Sequence, residues 1–244
     1  MSETQTSICN MALAKAGVNV SISAITDATE AARKCKLFYD STLTSLLEAS
    51  QWGFARTASA LALNKALPGT DENTAAATTW LSTLPQPPWN YEYAYPKDCI
   101  TLWYVVPQGQ YVSLVNTANT LGLWPLWRTV AVPFEVGAGD GDLKVVMTNA
   151  QGAIAIYNRN ISNPGLWPAQ FQQAMVAMLA FHLSIPLGGD KQLMQANAQT
   201  AERLLTEAAT NDGNEGISRV DYTPEVLQAR EASPFFTDIY GNWR

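Results

Sequence analysis

The sequence has few charged and few chemically reactive side chains. Charged residues make up 15% of its 244 residues, against about 25% in an average soluble domain. It has one histidine, His182, and its three cysteines, Cys9, Cys35 and Cys99, are widely spaced without a CxxC pair. One histidine excludes a multi-histidine metal site, and the cysteine spacing favours buried free thiols over a disulfide framework or a zinc site. We therefore expect no metal and no cofactor.

Positive charge is scarce as well. The chain has 15 Lys and Arg against 21 Asp and Glu, which gives a net charge of −6 and a pI of about 4.8. A free-standing nucleic-acid-binding module normally carries a cationic patch that neutralises phosphates, so the acidic balance argues against that class. The apolar share of 47% excludes disorder for most of the chain and permits a substantial core.

No long hydrophobic run is free of polar side chains. The longest weakly charged stretch, residues 167–187, contains three glutamines, His182 and Pro186, which makes it a poor membrane span. We expect a soluble protein without a membrane partner.

Candidate catalytic constellations are weak. His182 lies on the apolar stripe of a predicted helix, which favours a packed core histidine over a general base. The glycines and aspartates of residues 137–142 lack the helix of a phosphate loop and the downstream glutamate of a calcium loop, so they predict a turn. Glu92, Asp98 and Glu135 are candidates for a glycosidase pair, but nothing fixes any two of them about 5 or 9 Å apart. We predict no catalytic residues.

Hydrophobic periodicity predicts helices at both ends of the chain and strands between them. Residues 1–50 and 160–213 each predict a pair of helices, and residues 51–159 predict a β-rich barrel or sandwich. We expect an α+β fold in which the two helix pairs form a four-helix bundle with the β-rich domain inserted between them. Residues 214–244 are expected to form an extended C-terminal arm.

Three local predictions can be compared with the structure. Asp27 and Glu30 resemble a capping box at the start of the second helix. The segments 142–149 and 152–159 flank two residues and predict a β-hairpin. The last helix is expected to bury Leu193, Ala196, Thr200, Leu204 and Ala208.

The C-terminal segment 217–244 is unlike a core element because its large aromatic residues follow no sustained period. The predicted partner-binding residues are Tyr222, Phe235, Phe236, Tyr240 and Trp243. Large apolar side chains at a terminus, without a visible element to hold them, favour an arm that buries them against a partner. The alternative is a tail that wraps around its own domain.

Three motifs occur together in this chain. Residues 8–17 have the pattern ICNxALxxxG, and DxxEAA at residues 27–32 begins a helix that runs to Trp52. Residues 89–100, WNYEYAYPKDCI, form an aromatic-rich run into a Pro-x-Asp-Cys corner, and an Ala- and Met-rich helix later precedes a Gln- and Ala-rich one. Together these motifs resemble the tail tubular protein A family of short-tailed bacteriophages, the head-to-tail adaptors.

The resemblance implies a structural virion protein of the tail, assembled in the host cytoplasm. It implies a homo-oligomeric ring, a dodecamer, between the portal protein and a tail nozzle protein similar to tail tubular protein B. The helices are expected to form the ring wall and the β-rich domain to meet the nozzle, while viral DNA passes through the lumen without specific binding. The family pattern carries over no catalytic residue.

Two other classes of function remain open from the sequence. The first is a virion-associated glycan hydrolase that uses an acidic pair near the tryptophans. The second is a carbohydrate- or protein-binding module without catalytic activity.

Overall fold

The computed structural model describes residues 3–68, 81–108, 131–188 and 191–215. The predicted arm, 214–244, lies outside these described residues except for its first two, which belong to the last helix, and its five aromatic residues, which begin at Tyr222, all lie outside them. The helices of the described part are α1 (Gln5–Lys15), α2 (Glu30–Glu48), α3 (Ala169–Leu183) and α4 (Lys191–Glu215). The strands are β1 (Arg56–Ala60), β2 (Leu63–Ala66), β3 (Tyr91–Ala94), β4 (Cys99–Pro107), β5 (Phe134–Ala138), β6 (Lys144–Thr148) and β7 (Ala153–Arg159).

The strands form two antiparallel sheets. The three-stranded sheet has the order β1-β7-β4, and the four-stranded sheet has the order β2-β3-β6-β5. Side chains of both sheets meet in one hydrophobic cluster, which includes Tyr91, Tyr93, Val105, Val146 and Tyr157. In chain order, β1, β4 and β7 lie in one sheet, while the pairs β2/β3 and β5/β6 lie in the other.

The expected four-helix bundle with an inserted barrel is wrong. Helices α1, α2 and α4 all pack against α3, so α3 is a central helix rather than one corner of a bundle. The reason is that α3 is apolar around most of its circumference, and such a helix is buried on several sides. Its fully buried residues include Phe171, Ala174, Met175, Ala177 and Leu179.

The central helix separates two parts of the helical core. One cluster joins α1, α2 and α3 with Trp52 and Trp167. A second, smaller cluster joins Ala174 and Ala177 of α3 to Ala201 and Leu204 of α4. The division of the chain into a helical domain, a β-rich domain and an arm stays a prediction.

The predicted hairpin between residues 142–149 and 152–159 is also wrong. Its two strands exist, but β6 pairs with β3 and β5, whereas β7 pairs with β1 and β4. Each strand is central in its own sheet and is buried on both faces over most of its length. The link between them crosses from one sheet to the other, and the Tyr93 hydroxyl donates a 2.7 Å hydrogen bond to the Ala150 carbonyl there.

Helix α2 begins at a different capping residue from the predicted one. The Thr29 hydroxyl accepts a hydrogen bond from the Ala32 N–H at 3.3 Å. The Asp27 carboxylate accepts hydrogen bonds from the backbone N–H groups of Ser23 and Ala24 instead, at 2.9 Å each. Asp27 therefore stabilises the preceding turn.

The buried face of α4 also differs from the prediction. Leu204 and Ala208 are buried as expected, but Ala196 is exposed. The buried face also contains Asn197 and Ala201. The Asn197 side-chain amide donates hydrogen bonds of 3.2 Å to the Lys15 carbonyl and to the Ser184 hydroxyl, so a polar contact fixes the rotation of α4 that hydrophobicity alone did not predict.

One buried amide joins the sheets to the helices. The side-chain N–H₂ of Asn158 in β7 donates to the carbonyls of Leu47, at 2.8 Å, and Ser50, at 2.6 Å. These carbonyls lie at the C-terminal end of α2, where backbone carbonyls have no N–H partner within the helix. Asn158 is fully buried, so it substitutes for water at this helix end.

We expect Asn158→Ala to lower the free energy of unfolding by about 1–3 kcal/mol, because it leaves two carbonyls without their donor. The exposed Asn160 provides the matched control, and Asn160→Ala is expected to change stability by less than about 0.5 kcal/mol. Chemical denaturation of both variants measures the difference. Equal losses would show that Asn158 is not a specific link.

The segment Ala169–Gly188, which contains α3, is long and apolar enough to cross a membrane by length and composition alone. Half of its most apolar window is buried inside the protein. The packing of three helices around α3 accounts for this apolar character.

Candidate functional site

Any histidine-dependent chemistry would rely on His182, because the sequence contains one histidine. The His182 ring contacts aromatic side chains. Its ring stacks on Phe38 of α2, with ring centroids 5.6 Å apart and an interplanar angle of 10°. Phe181 lies 5.0 Å away in a tilted arrangement. Burial lowers the pKa of His182 below its ordinary value, so the neutral ring is favoured.

This lowered pKa predicts a stability that depends on pH. Between the folded-state pKa of His182 and the ordinary value of about 6.5, the unfolded chain binds more protons than the folded chain. The free energy of unfolding should therefore fall as the pH drops from 7 to 5. In His182→Gln this fall should be smaller, and denaturation at both pH values measures it. An unchanged pH dependence in the variant would exclude His182 as a cause.

The three acidic candidates lie in separate contacts. Glu92 is buried and lies 3.7 Å from the Lys65 ammonium, which also contacts Asp140 at 3.0 Å. Glu135 is exposed and accepts a 2.9 Å hydrogen bond from the indole N–H of Trp89. Glu92 and Glu135 flank the same residue of β6, Met147, in the strand register.

Asp98 belongs to a different part of the molecule. Its carboxylate accepts a 2.8 Å hydrogen bond from the Tyr157 hydroxyl in the three-stranded sheet. Burial and the neighbouring Asp98 raise the pKa of Tyr157 to about 12, so the hydroxyl keeps its proton and remains a donor. The three candidates are therefore not brought together as one acidic site.

The segment 137–142 forms a turn, as the sequence predicts. Residues Asp140–Asp142 make one 3₁₀ turn, and Gly141 has a left-handed backbone with φ of 73°. Among the residues that the structure describes, no group of three or more His, Cys, Asp or Glu side chains could hold a metal ion.

The cysteines are free thiols. Cys9 of α1 and Cys35 of α2 are fully buried in the helical cluster, and their mutual hydrogen bond together with burial raises the pKa of Cys9. Cys99 is half-buried, donates to the Tyr95 hydroxyl at 3.1 Å, and has a pKa that burial raises to about 11. The same hydrogen bond lowers the pKa of Cys35, which is fully buried. The raised pKa values make Cys9 and Cys99 poor nucleophiles at neutral pH.

Two tryptophans hold the junction between the helices and the sheets. The indole N–H of Trp52 donates to the Leu46 carbonyl at 2.8 Å, and that of Trp167 donates to the Ile161 carbonyl at 2.9 Å. Both indoles contact the Phe171 ring edge to face, at 5.0 and 5.3 Å between centroids. These tryptophans therefore serve the core rather than a sugar-binding groove.

An open cleft of about 790 Å³ lies at one end of the two sheets. Its described lining consists of apolar, amide and glycine residues and contains no ionisable side chain: Pro107, Gln108, Val132, Pro133, Asn149, Ala150, Gln151 and Gly152. These described lining residues offer no acid or base for catalysis.

Helices α2 and α4 both pack on α3. A cavity of about 410 Å³ is lined by the end of α2 and the second half of α4: Ala49, Ser50, Leu205, Thr206, Ala209 and Thr210. We call this cavity the α2/α4 groove.

Two apolar side chains of α2 and of the segment after α3 are largely exposed. Leu37 of α2 is 65% exposed, and Ile185, two residues after α3, is 57% exposed. Phe38, Phe181 and His182 are half-buried.

Sequence reasoning did not identify these exposed apolar residues. The available signal was the adjacent pair Leu37-Phe38, because neighbouring positions on a helix point about 100° apart and cannot both face one core. The apolar run that continues past the end of α3 to Ile185 was a second signal.

No protein-family model matches the chain, and no curated protein matches it significantly.

Proposed function

We propose that the protein is a structural virion component, a head-to-tail adaptor that forms a ring between the portal and the tail nozzle. In this function it surrounds the channel through which viral DNA passes and does not bind the DNA specifically. The portal, the nozzle and neighbouring copies of the same chain are its partners.

The observation that carries the proposal is the structural role of the opening motif. Ile8, Cys9 and Leu13 of this motif are fully buried in the helical cluster. The Asn10 side chain donates to the Ile22 carbonyl at 3.0 Å and accepts from the Ile22 N–H at 2.9 Å, which fixes the link from α1 to α2. The residues on which the resemblance rests are therefore buried or hydrogen-bonded residues that hold the first helices in place. We expect proteins with the same fold to share such a pattern.

Gly17, the last residue of the opening motif, has a second reason to be glycine. Its backbone is left-handed, with φ of 76°, as is usual at the end of a helix. A Cβ atom placed there would lie 2.9 Å from a methyl group of Leu193 in α4. The motif thus connects the N-terminal helices with the late helix pair, which the resemblance also includes.

Surface composition supports an assembly role. A ring subunit buries surface against two neighbours, and the low charged share of the chain reduces the desolvation cost of such contacts. A net charge of −6 also suits a channel wall, because each phosphate–cation contact would retard the passing DNA.

The glycan-hydrolase alternative has weaker support. A glycosidase needs two carboxyl groups on either side of one bond, whereas the buried Glu92 lies 3.7 Å from the Lys65 ammonium in an ion pair. Asp98 lies among the contacts of the other sheet.

Negative-stain electron microscopy and light scattering of the purified full-length chain test the proposal. We expect rings with a central channel and no release of sugar from bacterial polysaccharide. A monomer that cleaves polysaccharide would contradict the adaptor function and favour the hydrolase.

A further inference from the structure

We propose that Cys9 of α1 and Cys35 of α2 are a redox-active thiol pair, which hydrogen peroxide converts to a disulfide bond that joins the two helices. The structure holds the reduced form, in which both cysteines are free thiols. The proposal does not depend on the adaptor function, because both cysteines lie in the helical cluster of a single chain.

The two thiols face each other inside this cluster. Neither side chain exposes any surface to solvent, and the two sulfur atoms share a hydrogen bond. A disulfide bond requires sulfur atoms about 2.05 Å apart in a defined orientation. Two thiols that already share a hydrogen bond need only a small approach and a side-chain rotation to reach this geometry.

Local contacts hold each cysteine in place. Asn10, which directly follows Cys9, forms hydrogen bonds of 3.0 and 2.9 Å with the backbone of Ile22 in the link from α1 to α2. On α2, Cys35 lies between Ala32 and Tyr39 on the buried face of the helix. Both helices pack on α3, so the two sulfurs are brought together by packing rather than by a covalent bond.

The hydrogen bond between the thiols gives them different roles. It raises the pKa of Cys9, the donor, and lowers the pKa of Cys35, the acceptor. The thiolate is the nucleophile in thiol oxidation. Cys35 is therefore the thiol that attacks the peroxide, and Cys9 is the thiol that resolves the product.

The reaction consumes one molecule of hydrogen peroxide for each thiol pair. The Cys35 thiolate attacks one peroxide oxygen, the O–O bond breaks, and the hydroxide that leaves takes up the proton lost by Cys35. The Cys9 sulfur then attacks the sulfur of the Cys35 sulfenic acid, the S–O bond breaks, and a second water leaves with the Cys9 proton. The two sulfurs lose two electrons in total, which reduce the peroxide to two waters.

The disulfide is expected to stabilise the protein. It joins two residues that are 26 positions apart in the sequence, and closing such a loop lowers the conformational entropy of the unfolded chain. We therefore expect oxidation to raise the melting temperature by about 5–10 °C. Because both sulfurs are fully buried, the reaction needs a local opening of the helices and is slower than that of an exposed thiolate.

Peroxide oxidation of the folded full-length chain tests the proposal. The protein is reduced, freed of reductant, treated with hydrogen peroxide, and then denatured in N-ethylmaleimide, which labels the remaining thiols. We expect three labels before oxidation and one label, on Cys99, after it. Peptide mapping without reduction should recover the Cys9–Cys35 link at least about tenfold above either pairing with Cys99.

Three variants separate the pair from the rest of the protein. Cys99→Ala should keep the disulfide and the rise in melting temperature, whereas Cys35→Ala should lose both. In Cys9→Ala the attacking thiol has no resolving partner, so dimedone should trap a sulfenic acid on Cys35. Oxidation in urea is the control for unfolding, because all three pairings should appear there.

Three labels after oxidation, a disulfide that contains Cys99, or a Cys9–Cys35 disulfide that forms only in urea would overturn the proposal. An oxidised protein with an unchanged or lower melting temperature would contradict the stabilising role of the bond. Circular dichroism identifies any variant that fails to fold, and the labelling of the unaltered chain then decides the question by itself.

Discussion

Replacing Phe171 with alanine is expected to lower the free energy of unfolding by about 3–5 kcal/mol. The ring is fully buried and contacts three other aromatic rings, Trp52, Phe54 and Trp167, at 4.9 to 5.3 Å between centroids. Its removal leaves a cavity between the helices and the start of the strands. Urea denaturation monitored by circular dichroism measures the loss.

The matched control for this prediction is Phe38→Ala. Phe38 is half-buried and covers His182 at the edge of the same cluster, so its truncation should cost clearly less than that of Phe171. If both variants lose the same stability, or if Phe171→Ala loses less than about 1 kcal/mol, the aromatic junction is not the centre of the core.

Removal of residues 217–244 is expected to abolish ring formation while the subunit stays folded. The described elements pack into helical and β clusters with one another, and the segment contains the aromatic residues predicted to bind a partner. Light scattering should show a shift from a ring to a single subunit, and the circular dichroism spectrum should retain its helical signal.

The full-length variant Phe235→Ala/Phe236→Ala serves as the control for chain length. It should weaken assembly in the same direction because it removes two docking side chains and keeps the backbone. Rings with an unchanged number of subunits after truncation would contradict the proposed role of the arm, and a truncated chain that unfolds would assign the segment to the core of the subunit.

Local sequence signals predicted much of the secondary structure. Thr4 directly precedes α1, and its side chain accepts a 3.2 Å hydrogen bond from the Ser7 N–H, as is typical of a threonine that caps a helix. Gly17 ends that helix, as expected from its left-handed conformation. Such features depend on contacts within a few residues, which a single sequence contains.

Longer-range arrangement could not be predicted in the same way. Residues 150–152 satisfy the local pattern of a hairpin turn, yet β6 and β7 belong to different sheets. The burial of Val145, Val146 and Met147 in succession indicates a central strand with neighbours on both sides. This pairing depends on partner strands that are distant in the sequence. Hydrophobic periodicity carries no information about which strands pair.

The candidate site was predictable only in part. The sequence indicated an arm with aromatic residues, but not the α2/α4 groove. This groove is lined by two helices that both pack on α3, and this packing depends on the all-round apolar character of α3. The expected four-helix bundle, in which each helix buries one apolar stripe, does not predict such a groove.

The mass of the complex with a candidate portal protein tests the central claim most directly. Native mass spectrometry of the full-length chain mixed with portal rings should show one dodecamer of the 26.5 kDa chain bound to each portal. A chain that stays a 26.5 kDa monomer at every concentration and leaves the portal mass unchanged would contradict the account.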